Sequence, residues 1–304
     1  MPGPAVHDVA RADEHADHHV EDPTGQSDVE TAGVKYGPAV ASTAMATACL
    51  GPQRPWRVLG MSTHVWWCSA DDAVLVITDD RVVRLPNAVI VHPGHTLPTR
   101  LLPPGDYILV GDGAVATRTA AWRVVRWWEA KVAPVRADPG DVTGRARAAA
   151  DLLSIHSPID GEAPVTAALR RGDGDRVVAE AGRLIGRGVG LTPEGDDVLS
   201  GVVAGYRHIG ASIGNPAVST VLDRVGPSVL AVARKSTTML SFSLLHHAFA
   251  GEVAAPVGQL LRALTGRGDL AAAVEATVAI GHRSGPALAR GVVAGVVAGC
   301  GDRL

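Results

Sequence analysis

The sequence changes character near residue 139, and this change constrains the fold more than any other feature. Before it lie all six tryptophans and several short runs of β-branched residues. After it alanine, leucine, valine and glycine dominate, and apolar residues recur at helical spacing. We therefore predict an α+β protein, with a β-rich domain at 36–138, built as a barrel or a small sheet, and an all-helical domain at 139–304.

Four segments of the first half have the texture of strands. Residues 73–85 and 106–118 each hold two short β-branched runs around a turn, which predicts a hairpin. Residues 65–68 and 122–128 are rich in tryptophan and valine, which favour strands. We expect the tryptophans to pack in the core and on sheet faces, with an exposed stacking surface as the alternative.

The second half predicts a series of helices, several of which begin at a recognisable cap. Asp269 is a favourable N-cap, and Thr192-Pro193 combines a cap with the proline that suits the first helical position. The predicted helices cover 142–154, 174–186, 193–209, 216–234, 238–250, 254–265, 269–281 and 285–299.

Small residues are unusually frequent on two of these helices. Gly201 and Gly205 on one, and Gly291 and Gly295 on the other, would let two backbones approach closely. In lipid such spacing would indicate paired membrane helices, but the interspersed charges here favour tight packing within a soluble protein. The most apolar stretch, 285–299, is also shorter than the ~20 residues that a bilayer requires.

The composition argues against several classes of function. A net charge of −3 and a pI near 6.4 provide no basic surface for nucleic acid or for an anionic membrane. The three cysteines are scattered without CxxC spacing, which argues against disulfides and a thiolate zinc site and for a reducing compartment. The chain also lacks the basic start and apolar run of a signal peptide, so we expect a cytoplasmic protein.

Residues 1–35 form a leader that is rich in histidine, aspartate and glutamate. They contain few groups that could enter a core, so we expect this leader to be disordered. Its histidines and carboxylates would bind a divalent transition metal only weakly, because a flexible segment lacks fixed ligand geometry. A solvated polar tail is the alternative.

The most informative segment is 186–197, which reads GRGVGLTPEGDD. Its alternating glycines, among them Gly188 and Gly190, let the backbone turn sharply and bring amide groups close to a ligand. With Thr192 as a cap, the segment predicts a glycine-rich loop that leads into a helix N-terminus. It is neither a Walker nor a dinucleotide motif, because no Gly-Lys-Ser/Thr follows and no strand precedes it.

Three acids, Glu194, Asp196 and Asp197, fall in the first turn of that helix. They would repel a bare phosphate and would suit a magnesium ion, a substrate N–H or an arginine. The alternative is a well-capped helix whose acids complement its dipole.

Two further clusters follow. Residues 234–238 (RKSTT) offer two cations and several hydroxyls to a phosphate or carboxylate, or form an ordinary helix boundary capped by Ser236 or Thr237. Of the adjacent His246 and His247, we expect one to face the interior and one the solvent.

The third cluster is GHRSG at 281–285, between two predicted helices. His282 and Ser284 would polarise a carbonyl or transfer a proton, while a structural hydrogen bond is the alternative role for His282. A Ser-His-Asp hydrolase has no support, because GASIG at 210–214, which matches the GxSxG pattern, follows a predicted helix and not the strand of a nucleophile elbow.

Together these clusters resemble the AllH-like family of domains of unknown function. The matching residues are GVGLTPEGDDVLSG at 188–201, STTMLSFSLLHHAFAGE at 236–252 and GHRSG at 281–285. The resemblance covers roughly 38–300, and its specificity is concentrated in 186–300. Named members of the family are the third subunit of oxamate carbamoyltransferase in anaerobic allantoin breakdown.

The resemblance implies carbamoyl transfer between carbamoyl phosphate and an amide or amine acceptor, in a complex with two other kinds of subunit. The family usually has serine where this chain has Glu194, and often threonine where it has Arg283. Both changes bring charge to the site, so the acceptor need not be oxamate. A non-catalytic subunit that binds a small anion and organises a partner enzyme is the alternative function.

Within this scheme the glycine amides, a lysine and threonines hold a phosphate or carboxylate, and two aspartates orient an acceptor N–H or a magnesium ion. The histidine and serine of GHRSG polarise the carbamoyl carbonyl. The ligand-binding residues so assigned are Gly188, Gly190, Thr192, Gly195, Lys235, Thr237 and Thr238. The catalytic residues so assigned are Asp196, Asp197, His282 and Ser284.

Overall fold

The computed structural model of the protein describes residues 36–92, 97, 103–154 and 162–301. The predicted leader at 1–35, with its histidines, lies outside the described residues. In the described part, strands come first and helices lie mostly in the second half, so the chain has the mixed α and β structure that the sequence predicts.

Eight strands of the first half form a closed barrel. They are β1 (Tyr36–Ser42), β2 (Arg54–Met61), β3 (Val65–Ala70), β4 (Ala73–Thr78), β5 (Ala88–Val91), β6 (Tyr107–Gly111), β7 (Ala114–Ala116) and β8 (Ala121–Trp128). Their order around the barrel is β1-β5-β4-β3-β2-β6-β7-β8, and the parallel pairing of β8 with β1 completes it. A short 3-10 helix, Thr43–Met45, and α1 (Ala46–Leu50) follow β1.

Aromatic and aliphatic side chains fill the barrel. Trp56, Trp66 and Trp122 are buried, and the rings of Trp66 and Trp122 meet edge to face with their centroids 5.9 Å apart. Alternation along β3 turns Trp66 inward and leaves Trp67 half-buried on the outer surface. The expected core packing is therefore confirmed for these three tryptophans, whereas Trp127 on β8 is 37% exposed.

One predicted hairpin is confirmed and the other is wrong. β6 and β7 pair antiparallel around a turn at Gly111-Asp112-Gly113, within the predicted hairpin at 106–118. After β4, however, the described residues 79–87 contain no strand, and β5 runs parallel to β4. The buried Asp79 explains the difference, because its carboxylate accepts the Arg81 amide at 3.0 Å and lies 2.6 Å from the His64 ring nitrogen. These contacts fix an irregular segment where a returning strand was expected.

The second half is helical. Its helices are α2 (Pro139–Leu152), α3 (Glu162–Arg171), α4 (Gly174–Leu184), α5 (Glu194–Ser212), α6 (Pro216–Ser236), α7 (Met239–Ala250), α8 (Ala255–Leu264), α9 (Leu270–Val278) and α10 (Ser284–Cys300). All but α3 agree with the predicted helices to within a few residues. The sequence did not predict α3, because Pro164 is typical of a loop; in a first turn, however, a proline removes no helical hydrogen bond.

Of the two predicted caps, one is confirmed. Asp269 accepts the Ala272 amide at 3.0 Å. Thr192 is not a cap, since Pro193 occupies the N-cap position of α5 and the Thr192 hydroxyl instead bonds to the Ser284 hydroxyl at 2.7 Å. The Thr192 hydroxyl therefore makes a tertiary contact with Ser284 instead of the helix cap that the local sequence predicts.

Helices α5 and α10 run parallel in very close contact, as their glycines predict. A Cβ atom at Gly201 would lie 2.4 Å from the Leu288 carbonyl oxygen, and one at Gly291 would lie 2.2 Å from the Val198 carbonyl oxygen. Only glycine permits these approaches. The parallel packing brings the starts of both helices, and so the LTPEGDD and GHRSG motifs, to the same end of the pair.

The outer surface of the barrel packs against α7. Val74, Val76 and Ile90 form a buried cluster with Leu240 of that helix. The barrel wall therefore forms one side of a cavity, and the first turns of α5 form part of the other side. Within the described residues, no helix combines the length and the apolar character needed to cross a bilayer.

Candidate functional site

The glycine-rich loop lies on the junction between α6 and α7. Gly186 adopts a φ of +74°, and a Cβ atom there would be 2.1 Å from the Ser236 carbonyl oxygen. Thr238, rather than Ser236 or Thr237, caps α7, and its hydroxyl also donates to the Leu191 carbonyl oxygen at 2.5 Å. The first two sequence clusters are therefore one structural unit.

The Asp196 carboxylate joins the loop to the α6–α7 junction by hydrogen bonds. Its side chain is 1% exposed, Oδ1 accepts the Gly186 amide at 2.8 Å, and Oδ2 accepts the Ser241 hydroxyl at 2.7 Å and the Thr237 hydroxyl. Gly195 directly before it is a packing residue, since a Cβ atom would lie 2.1 Å from the last carbonyl oxygen of α4. With both carboxylate oxygens bonded to protein donors, Asp196 is placed to hold the loop.

Asp197 lies in a different environment, at the wall of a cavity of about 310 Å³. It is 5% exposed, and among the described residues its Oδ2 has no hydrogen-bond partner. Burial raises the pKa of this carboxyl to about 7; hydrogen bonds from Ser284 and Thr192 oppose the shift, and the charges of Asp196 and Glu194 add to it. The group therefore changes protonation state near neutral pH.

The cavity lies between the barrel wall and the helices, and it falls at the small end of the range of ligand pockets. Thr192 and Ser284, whose hydroxyls bond to each other, line it beside Asp197 and Ser200. No lysine, arginine or histidine is found among the described residues that line it. The barrel contributes Val65, Trp67, Val82, Val83, Leu85 and Pro86, and the helices contribute Ala204, Leu240, Leu244, Ala248, Val257 and Leu288.

A second carboxylate, that of Glu252, lines the same cavity. It follows Gly251, which ends α7 in the left-handed conformation with a φ of +80°. Its Oε2 lies 2.7 Å from Nδ1 of His247. His247 is buried and His246 is exposed, which confirms that one of the two faces the interior.

Several predicted site residues lie outside the cavity. His282 is exposed in the turn between α9 and α10, and Lys235 is exposed in the last turn of α6. Gly188 and Gly190 are exposed in the loop, with φ values of +121° and +99° that favour glycine. The structure thus brings Thr192, Asp197 and Ser284 to the cavity. The ligand-binding roles of Lys235, Gly188 and Gly190 and the catalytic role of His282 stay predictions.

Sequence reasoning missed Ser200 and the barrel side of the cavity. Ser200 follows Asp197 by three residues on α5, a spacing that puts both on one helix face and could have identified it. In the sequence, Glu252 stands out only as the last residue of the matching run at 236–252. The irregular segment at 82–86 has no local signal, because its place in the wall depends on the fold of the barrel.

Metal binding receives no support from side-chain geometry. Among the described residues, no group of three or more His, Cys, Asp or Glu side chains is placed to hold a metal ion. Asp196, one of the expected magnesium ligands, uses both of its oxygens for protein hydrogen bonds.

The family model described as oxamate carbamoyltransferase subunit AllH matches residues 184–296 of the chain. The match includes the glycine-rich loop, Asp197, α7 and the GHRSG turn, and it confirms the resemblance to that family over this part. The barrel lies outside it. Comparison with curated proteins and with solved structures gives no match.

Proposed function

We propose that this protein is a cytoplasmic subunit of a carbamoyltransferase that acts in purine or allantoin nitrogen catabolism. It transfers the carbamoyl group of carbamoyl phosphate to a small amide acceptor; oxamate is the acceptor in the description of the matching family model. The match at 184–296 supports the reaction class. One observation carries the assignment of the site: Asp197 is a buried carboxyl next to two hydroxyls in an apolar cavity, and one of its oxygens has no hydrogen-bond partner in the described part of the chain.

The reaction forms a bond between the acceptor nitrogen and the carbamoyl carbon and breaks the bond from that carbon to a phosphate oxygen. Phosphate leaves with the electron pair, and the acceptor nitrogen loses a proton. The carboxylate of Asp197 accepts this proton, because a pKa of about 7 suits a base at neutral pH. The Ser284 hydroxyl, 2.7 Å from that of Thr192, orients and polarises the carbamoyl carbonyl.

The leaving phosphate binds outside the cavity, at Lys235 and the amides of Gly188 and Gly190. These residues belong to the surface of one unit, because the loop packs on the α6–α7 junction. The hydroxyls of Thr237 and Thr238 are bonded to Asp196 and to the loop. We therefore assign these two threonines the task of holding the loop in place. His282, two residues before Ser284, adds a donor at the mouth of the site.

The description of the family as a subunit supports assembly with other carbamoyltransferase subunits. It also leaves a second candidate function, a non-catalytic subunit that binds a small anion and organises a partner enzyme. Exposed apolar side chains favour this alternative: Val189 and Leu191 of the loop are 76% and 53% exposed, and Trp127 lies on the barrel surface.

Phosphate release from carbamoyl phosphate and amide acceptors, measured with the purified chain alone and with its companion subunits, separates the two functions. We expect release in the mixture and a loss of about 100-fold in Asp197→Asn. Asp175→Asn, the same change in the exposed first turn of α4, is the matched control and should keep full activity. Full activity of Asp197→Asn in the mixture would instead favour the non-catalytic subunit.

A further inference from the structure

The lining of the Asp197 cavity has an unusual balance of charge. Two carboxyl groups, those of Asp197 and Glu252, line about 310 Å³ of mostly apolar space. The described lining residues include no cationic side chain. His247 neighbours Glu252 at 2.7 Å but is not among the residues that line the cavity.

An anionic ligand would be poorly accommodated there. A carboxylate or phosphate would lose its hydration in apolar surroundings and would gain no positive partner. It would also be repelled by the Glu252 carboxylate and by Asp197 in its ionised form. Oxamate carries a carboxylate next to its amide, so it meets this penalty. In the proposed reaction the phosphate of carbamoyl phosphate binds outside the cavity, so only the uncharged carbamoyl end reaches Ser284.

An uncharged amide meets no such penalty. Its N–H groups can donate to the unpaired Oδ2 of Asp197, and its carbonyl can accept from the hydroxyls of Thr192, Ser200 or Ser284. An apolar body of the ligand would pack against side chains such as Val83 and Leu244, which gains free energy from burial.

We propose that the acceptor bound in this cavity is an uncharged amide with an apolar body, and that acceptors carrying a carboxylate are excluded from it. The inference rests on the proposed function only in calling this ligand the acceptor. Binding to the free chain requires neither carbamoyl phosphate nor companion subunits, so a failure of carbamoyl transfer would leave the inference standing.

Titration calorimetry of the full chain tests it with a matched pair of ligands. Isovaleramide and isovalerate have nearly the same shape and differ in charge. We expect isovaleramide to bind at least about tenfold more tightly than isovalerate, with oxamate as weak as isovalerate. Removing one negative charge by Asp197→Asn should reduce the preference for the amide.

A pair of protein variants tests whether the ligand binds in this cavity. Val83→Phe fills the cavity from the barrel side and should abolish isovaleramide binding. Val125→Phe adds the same bulk at a position that is 58% exposed on β8 and should leave binding unchanged. Equal or tighter binding of isovalerate, absence of isovaleramide binding to the wild-type chain, or binding unaffected by Val83→Phe would each overturn the inference.

Discussion

Asp196 and Asp197 are adjacent acids with different surroundings. Successive residues on a helix are rotated by about 100°, so neighbours in one turn face different structures. Asp196 faces the α6–α7 junction and accepts hydrogen bonds from three donors, whereas Asp197 lines the cavity and one of its oxygens has no partner among the described residues. The sequence predicts both to be site residues but cannot separate their roles, because the packing of distant helices decides which surface each one meets.

For Asp196 we predict a structural role that stability measurements will reveal. Asp196→Ala leaves the Gly186 amide and the hydroxyls of Thr237 and Ser241 without their acceptor, which should cost about 2–4 kcal/mol of unfolding free energy. Asp196→Asn keeps one acceptor oxygen and should cost less. Urea denaturation measures both, and an alanine variant as stable as the wild type would refute this role.

For Asp197 we predict a distinctive dependence of stability on pH. Its pKa is raised from 3.8 to about 7, so between these values the folded protein keeps a proton that the unfolded chain has released. The contribution of Asp197 to the unfolding free energy should therefore fall as pH rises from about 4 to about 7, and level off above. Asp197→Asn should remove this contribution. A wild-type minus variant difference that stays constant with pH in urea denaturation would be inconsistent with the raised pKa.

At the scale of the elements, the contact of α5 with α10 holds the site together. It places the loop beside the GHRSG turn, and the bond between Thr192 and Ser284 joins residues that are 92 positions apart. Gly201 and Gly291 make the contact possible, because any side chain there would meet the backbone of the other helix.

Two glycine-to-alanine substitutions, one inside this contact and one outside it, should change the unfolding free energy in opposite directions. In Gly291→Ala the new Cβ would lie 2.2 Å from the Val198 carbonyl oxygen, and we expect a loss of about 1–3 kcal/mol of unfolding free energy. In Gly144→Ala on α2 the Cβ meets nothing within 4 Å, and a gain of about 0.5–1 kcal/mol is expected. Chemical denaturation of the two variants decides the matter; if both shift stability in the same direction, close packing is not what Gly291 provides.

The sequence predicts correctly those elements that depend on residues close to one another in the chain. The helical periodicity of the second half, the Asp269 cap and the glycine contact of α5 with α10 were all readable from neighbouring residues. The predictions are wrong where a side chain bonds to a partner that is distant in the sequence. Asp79 binds His64, 15 residues away, and the predicted hairpin does not form; Thr192 binds Ser284 and does not cap α5.

At the scale of the whole molecule, the cavity is a joint product of the barrel and the helices. The irregular segment after β4 and the outer face of β3 form one wall, and α5, α7 and α10 form the other. No single stretch of sequence contains this arrangement, which is why sequence reasoning identified Thr192, Asp197 and Ser284 but not the apolar space they share. The family match reaches only the helical wall, so the barrel side of the cavity is where specificity can differ from that of the proteins that the family model describes.

In the proposed reaction Asp197 accepts the proton of the acceptor nitrogen during carbamoyl transfer. The most direct measurement is kcat/KM for transfer by the assembled complex, recorded against pH for the wild type and for Asp197→Asn. A base works only when deprotonated, so the wild-type rate should rise with pH through the pKa of about 7 and then level off. The variant should be slower and lack this rise. A wild-type profile without it, or the same rise in Asp197→Asn, would contradict the claim.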